Sequence, residues 1–109
     1  MALAAAQLIS IAGSTPAYNT PLASENISPA ANLFLHVKNA NAANCVVTID
    51  DSGVTPGGSA ATDPVVTVPL TTGDKMIPLP TSFTNTATGF INVTFSVQTS
   101  VSVALLRLP

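Results

Sequence analysis

The chain has 109 residues, enough for one domain with a small core of its own. Only 7% of them are Asp, Glu, Lys or Arg, whereas ordinary soluble domains have about 25%, and the formal net charge is −2. So few charges do not form the basic surface that nucleic-acid binding requires, and we expect no nucleic-acid partner. A small, weakly charged surface is poorly protected against self-association, which favours a protein that is covered by partners.

Cys45 is the only cysteine, so the chain cannot form an internal disulfide. We expect it to be a small buried side chain, because it falls in phase with Val47 and Ile49 in a predicted strand. No apolar run reaches the roughly 18 residues of a membrane-spanning helix, so no membrane partner is expected. Residues 1–12 are apolar but have no Lys or Arg before them, and we expect them to belong to the mature protein.

The first 31 residues differ in character from the rest and are predicted to form an N-terminal arm and a connecting loop. Residues 1–12 are rich in Ala, while Gly13 and Pro16 interrupt any helix, so a short helix and an extended arm both remain open. Residues 18–31 carry prolines among Ser, Asn and Thr. This composition is typical of an extended connection with few strand-pairing hydrogen bonds.

Residues 32–109 show the alternation of apolar and polar side chains that is typical of strands, and they are predicted to form one β-sandwich domain. Strands around 33–37 and 45–49 are expected to be neighbours in a meander. At the C-terminal end, residues 91–97 and 101–108 alternate most clearly. Because so few residues separate them, they are predicted to pair as an antiparallel hairpin.

The middle of this domain is predicted to be less regular. Residues 51–63 hold several Gly and Pro and indicate a long surface loop. Residues 66–70 form a strand whose Pro69 favours an edge position. A tight turn over 71–74 follows, with Gly73 supplying unusual backbone angles, and then a strand fragment broken by prolines. About six strands without an amphipathic helix predict an all-β fold, a small antiparallel β-sandwich or barrel with an N-terminal arm.

No residue pattern predicts a catalytic, metal or cofactor site. His36 is the only histidine, and neither a serine elbow nor a second histidine accompanies it, so we expect a solvent-facing strand residue. The acidic side chains near predicted loops do not match a calcium loop and are expected to cap turns. They are Asp50, Asp51, Asp63 and Asp74. We therefore expect no enzyme, no metal and no cofactor.

Three segments resemble, in this order, small head proteins of tailed phages. They are FLHVKN at 34–39, GDKMIPLP at 73–80 and TSVSVALLRL at 99–108. The shared pattern is a first strand, a Gly-containing turn before a Pro-interrupted segment, and a C-terminal strand, over about three-quarters of the chain. The resemblance implies a capsid decoration, or cement, protein. Such a protein is a β-sandwich that binds the major capsid protein on the outside of the virion and self-associates, often as trimers.

The alternative is a free β-sandwich binding module for carbohydrate or host-surface adhesion. Such a module stacks exposed aromatic rings on sugar rings. The chain has no Trp and one Tyr, so it is poorly equipped for this kind of stacking.

The residues predicted to contact a partner are large side chains of the arm and the first strand. They are Leu3, Leu8, Ile9, Ile11, Tyr18 and Phe34. The arm is too apolar for a free tail, and we expect it to lie on a neighbouring subunit or on the shell. A competing arrangement folds it back on its own domain as an extra strand or helix. For Phe34, an interface anchor and a ring covered by the chain itself both remain open.

Overall fold

The computed structural model describes residues 6–109, whose regular structure is nearly all β. The strands are β1 (Gln7–Leu8), β2 (Ser24–Ile27), β3 (Leu33–Asn39), β4 (Cys45–Ile49), β5 (Val65–Val68), β6 (Gly73–Pro78), β7 (Ile91–Phe95) and β8 (Val101–Arg107). Within this described range the only helix is a 3-10 turn at Thr81–Phe83. No helix in the range is long and apolar enough to cross a membrane.

The strands form two four-stranded sheets, which confirms the predicted all-β sandwich. Sheet A has the order β1-β8-β3-β6, and sheet B has the order β2-β7-β4-β5. The first four strands pair with the last four in reverse order, β1 with β8 through to β4 with β5. This is the arrangement of an eight-stranded jelly roll. One difference is that β1 runs parallel to β8, and an antiparallel bridge at this edge comes instead from Asn19, opposite Val103.

The core lies between the two sheets and consists of side chains that alternate inward along each strand. Its members are Ile27, Leu33, Leu35, Val37, Cys45, Val47, Ile49, Val68, Ile77, Leu79, Ile91, Val93, Phe95, Val101, Val103 and Leu105. The inward faces predicted for β3, β4 and β7 are therefore confirmed. Because each inward face is apolar, the two sheets bury one continuous layer between them.

The predicted C-terminal hairpin is wrong, because β7 and β8 lie in different sheets. Strand β7 pairs with β2 and β4, whereas β8 pairs with β1 and β3. Residues 96–100 carry the chain from sheet B to sheet A. The meander predicted for β3 and β4 is wrong for the same reason. Alternation indicates which side chains face the core, and both sheets of a sandwich present the same pattern to it.

The segment predicted to be a turn and a strand fragment is a longer edge strand, β6, which pairs with β3 from Gly73 to Pro78. Gly73 does not provide the unusual backbone angle, since the positive φ of 67° belongs to Thr71. A Cβ on Gly73 would lie 2.1 Å from the carbonyl oxygen of Pro69. Glycine is therefore required there by a close backbone approach. Strand β5 lies at the edge of sheet B, as Pro69 predicts.

The described part of the arm, residues 6–19, folds back along the free edge of β8. The backbone N–H of Ile9 donates to the carbonyl oxygen of Arg107 at 3.0 Å. Asn19 and Val103 exchange two backbone hydrogen bonds, each of 2.8 Å. Over these residues the arm takes the competing arrangement, an extra strand on its own domain. Leu3 lies outside the described residues.

Strand β2 comes from the segment that was predicted to be a connection with few pairing hydrogen bonds. It pairs with β7 in sheet B from Ser24 to Ile27. Ile27 is fully buried in the core. The prediction failed because β2 has only four residues, of which one inward-facing side chain is Glu25, so no apolar alternation marks it.

Candidate functional site

The outer face of sheet A, which points away from the core, carries a row of polar contacts. Phe34, His36 and Lys38 lie on this face, as predicted from the alternation in β3. Their neighbours in register are Pro78, Met76 and Asp74 on β6, and Leu106, Ala104 and Ser102 on β8. Ala104 and Leu106 are nevertheless buried, so something covers this face.

The arm crosses the outer face and is held there by Gln7. Because Gln7 lies opposite Leu106, its side chain points outward. Its Nε2 donates to the carbonyl oxygen of Thr15 at 2.8 Å, and its Oε1 accepts from the backbone N–H of Ala17 at 2.9 Å. These bonds hold the returning chain against β1.

His36 joins the arm to β6. The hydroxyl of Tyr18 lies 2.7 Å from Nδ1 of His36, and Nε2 of His36 contacts Oδ1 of Asp74. An ionised carboxylate only accepts, so in the neutral ring Nε2 carries the proton and Nδ1 accepts the hydroxyl proton of Tyr18. The prediction that His36 faces solvent is wrong, because the residue is only 8% exposed. Its partners lie 18 and 38 positions away, so no local pattern reveals them.

Lys38 packs on the same aromatic ring. Its Nζ lies 4.7 Å from the centroid of the Tyr18 ring, within cation–π distance. The rings of Tyr18 and His36 meet edge to face, with centroids 5.6 Å apart. We call the set Gln7, Tyr18, His36 and Asp74 the arm latch.

Within the arm latch, Asp74, His36 and Tyr18 form a row of a carboxylate, a base and a hydroxyl. In hydrolases this order activates the hydroxyl as a nucleophile, provided that donors for an oxyanion face the same reacting atom. Here each member of the row belongs to a different segment: Tyr18 to the arm, His36 to β3 and Asp74 to β6. The row therefore ties three segments together across the face of the sheet.

An open polar cleft of about 370 Å³ adjoins the arm latch, at the end of sheet A where β3 finishes and β6 and β8 begin. Its polar lining includes Lys38, Thr71, Thr72, Asp74, Ser100 and Ser102. Lys38 and Asp74 are shared with the outer face, so the cleft continues directly from it. We call this feature the polar cleft.

Asn41 joins the two turns that form the walls of the polar cleft. Its carbonyl oxygen accepts from the backbone N–H of Thr71 at 2.8 Å, and its Nδ2 donates to the carbonyl oxygen of Thr99 at 2.8 Å. The backbone N–H of Ala40 also donates to the carbonyl oxygen of Ser100 at 2.9 Å. These bonds fix the two walls relative to each other.

Most of the exposed large apolar side chains belong to segments at the opposite end of the sandwich, where β3, β5 and β7 begin and β4 and β8 finish. Of the nine large apolar residues that are exposed in the described part, six lie there. They are Leu8, Ile11, Val54, Val65, Phe90 and Leu108. We call this set the apolar end.

The predicted contact residues of the described arm and β3 lie in different surroundings. Leu8 and Ile11 are exposed at the apolar end, and Ile11 is 96% exposed. Ile9, Tyr18 and Phe34 are half-buried. Tyr18 is already engaged in the arm latch, whereas the other four residues leave surface available to a partner. A contact with a partner stays a prediction for all of them.

Glu25 is a buried acid that the sequence pattern does not single out. It points into the sandwich in phase with Ile27 and is 0% exposed. Its Oε2 accepts from the backbone N–H of Leu22 at 2.8 Å, while its Oε1 has no hydrogen-bond partner among residues 6–109. A buried carboxyl with one unpartnered oxygen lowers stability unless something outside this range satisfies it.

Cys45 is buried and free, as predicted. Its burial raises the pKa of the thiol above the ordinary value of 9.0, which makes the thiolate scarcer and the sulfur less reactive. Elsewhere in the described chain, no three His, Cys, Asp or Glu side chains gather in a group that could hold a metal ion.

Protein-family models, curated proteins and solved structures were compared with the chain, and none of them matches it. Its function is therefore inferred from the residues and the geometry described above.

Proposed function

We propose that the chain is a structural virion protein, a capsid decoration protein that binds the major capsid protein on the outside of a tailed-phage head and stabilises the shell. The observation that carries the proposal is the apolar end, to which six exposed large apolar side chains belong. On a protein with only 7% charged residues, such a surface favours burial against a partner.

The strength of a contact at this end depends on how much of the apolar surface a partner covers. Burying a large apolar side chain contributes about 1.5 to 3 kcal/mol. Association costs roughly 4 to 15 kcal/mol in lost freedom of motion. The free energy gained by burying the apolar end completely is comparable to this cost. A partner that covers only part of the apolar end would therefore bind weakly. A repeated shell, which presents the same site many times, suits a contact of this kind.

The resemblance to phage head proteins also has a structural counterpart. Its three segments correspond to β3, β6 and β8, which are adjacent strands of sheet A. The jelly roll is compatible with the proposal because capsid proteins use it, but lectins use it as well. The fold therefore does not decide between decoration and the alternative, a free binding module.

The proposal is tested by sedimenting tailed-phage heads that lack the decoration protein after incubation with the purified chain. Bound protein is measured as a ratio to the shell protein. The wild-type chain is expected to saturate at a fixed ratio. The double variant Leu8→Asp, Ile11→Asp is expected to bind at least about tenfold more weakly, because charged side chains at the apolar end lose apolar burial.

Met76→Asp is the matched control. Met76 is also exposed and apolar, at 66%, but it lies on the outer face of sheet A rather than at the apolar end. This variant is expected to bind heads like the wild type. The proposal fails if the wild-type chain does not bind heads, or if Met76→Asp weakens binding as much as the double variant does. Sedimentation equilibrium of the free chain tests the accompanying prediction of trimers.

A further inference from the structure

Two residues of the polar cleft hold a left-handed backbone without being glycine. Thr71 has a φ of 67° and Ser100 a φ of 59°. Residues other than glycine are uncommon in this region, and a β-branched residue such as Thr71 is rare there, because its Cβ crowds the backbone. Glycine would be less strained at both positions, so the side-chain hydroxyls are what Thr and Ser add there. Strained residues of this kind concentrate at ligand sites.

The walls of the polar cleft are fixed before any ligand arrives. Asn41 connects the turn that contains Thr71 to the turn that contains Ser100, through the hydrogen bonds described above. On the wall between these turns, the amide of Asn39 donates to two carbonyl oxygens, those of Ala43 and Val68. A site that is already ordered loses little entropy when it binds a ligand.

The charges of the polar cleft select a neutral ligand. Lys38 and Asp74 are its charged lining residues and lie opposite each other in the β3–β6 register, so their charges offset each other. The side chain of Asp74 is 57% exposed although one of its oxygens contacts His36. A carboxylate accepts hydrogen bonds, an ammonium donates them, and Ser and Thr hydroxyls do both. Such a set matches a ligand with many hydroxyl groups.

From these observations we propose that the polar cleft binds one neutral saccharide unit of about pyranose size. Its volume of about 370 Å³ lies at the lower end of the range for small-molecule sites. The ring of Tyr18 is already covered by Lys38, so recognition depends on hydrogen bonds and the affinity is expected to be millimolar. This site is independent of the apolar end and does not require that the chain bind a shell.

The test is a titration of the isotope-labelled full chain, followed by the amide resonances in NMR spectra. The probes are methyl α-mannopyranoside, methyl β-galactopyranoside and methyl β-glucopyranoside, each up to about 50 mM, which saturates a millimolar site. At least one probe is expected to cause saturable shifts at Thr72, Asp74 and Ser102. Inorganic phosphate is the comparison probe, because it would bind if the charge of Lys38 were the only attraction. It is expected to leave these resonances unshifted.

Two variants separate recognition from structure. Thr71→Gly removes the hydroxyl and the strain together, so it is expected to raise the melting temperature while weakening binding of the probe by about fivefold, the effect of one hydrogen bond. Ser102→Ala removes a hydroxyl from β8, where the backbone is an ordinary strand. Binding of the probe is expected to weaken by the same factor. Asn32→Gly is the control, since Asn32 also has a positive φ, of 58°, but precedes β3 at the opposite end.

Several results would overturn the proposal. The first is that none of the three glycosides causes saturable shifts at the cleft, or that the shifts lie elsewhere. The second is that phosphate moves the same resonances. The third is that Thr71→Gly and Ser102→Ala both bind the probe as well as the wild type and the Asn32→Gly control do. If glycosides bind but heads do not, the site stands and the proposed shell function fails.

Discussion

At the residue scale, His36 shows how a side chain on the outer face of a sheet becomes interior. The arm covers it, so both ring nitrogens need hydrogen-bond partners, which Tyr18 and Asp74 provide. Lys38, only two residues away on the same face, stays exposed. His36 and Lys38 differ in burial because Tyr18 of the arm lies against His36 of β3.

Tyr18→Phe is expected to lower the free energy of unfolding by about 1 to 3 kcal/mol, because Nδ1 of His36 stays buried without its donor. Urea denaturation measures the change. Thr20→Ala, an exposed neighbour of the arm, is the control and is expected to change stability by less than about 0.5 kcal/mol. Equal stabilities of Tyr18→Phe and the wild type would mean that the Tyr18 hydroxyl does not hold the arm.

Cys45 gives a prediction with a defined pH dependence. Burial raises its pKa above 9.0, so the folded chain keeps the thiol proton more strongly than the unfolded chain does. The associated stability is fully present below the ordinary pKa and is lost as the pH rises through the raised one. As the pH rises through 9.0 toward the raised pKa, the wild type is expected to lose more stability than Cys45→Ala.

Thermal unfolding of the wild type and of Cys45→Ala across this pH range measures the difference in stability. All titrating groups other than Cys45 are common to both proteins, so their contributions cancel in the comparison. An identical pH dependence in the two would contradict the prediction. A second readout is native-state labelling of Cys45 by a thiol reagent, which is expected to be slow until the protein unfolds.

At the scale of elements, the phase of β7 determines which of its side chains stabilise the sandwich. Phe95 is 3% exposed, and its neighbour Thr94 faces solvent. Phe95→Ala is therefore expected to cost about 3 to 5 kcal/mol, and Thr94→Ala less than about 1 kcal/mol. Chemical denaturation of both variants tests this. If Thr94→Ala is the more damaging, the strand is out of phase by one residue.

At the scale of the whole molecule, the arm closes one edge of sheet A. Deletion of residues 1–14 removes β1 together with the side-chain amide of Gln7. It also removes Ala6, which packs against the core. The shortened chain is expected to melt at a clearly lower temperature by calorimetry. Ile11→Ser changes an almost fully exposed side chain of the same arm, and its melting temperature is expected to match the wild type.

The opposite result has a definite meaning. If the deletion leaves the melting temperature unchanged while self-association or binding to heads falls, the arm serves assembly and its contacts with β8 are dispensable. If Ile11→Ser lowers the melting temperature as well, the exposed part of the arm contributes to the folded monomer in a way that its surface position does not explain.

The sequence by itself determined the all-β class, the inward faces of β3, β4 and β7, the edge position of β5 and the burial of Cys45. These features follow from period-two alternation and from the backbone limits of proline, which act within a few residues. The polar cleft is different, because Asp74 and Ser102 lie far apart in the chain and meet only through β3.

Only the tertiary structure decided which strand pairs with which and how His36 finds Tyr18 and Asp74. An apolar alternating strand fits equally well in either sheet, so β7 and β8 could be assigned to opposite sheets only by contacts across the whole chain. The hydrogen bond of Gln7 with Thr15 likewise depends on a reversal of the arm. Local pattern does not encode these, because their free energy comes from packing the complete sandwich.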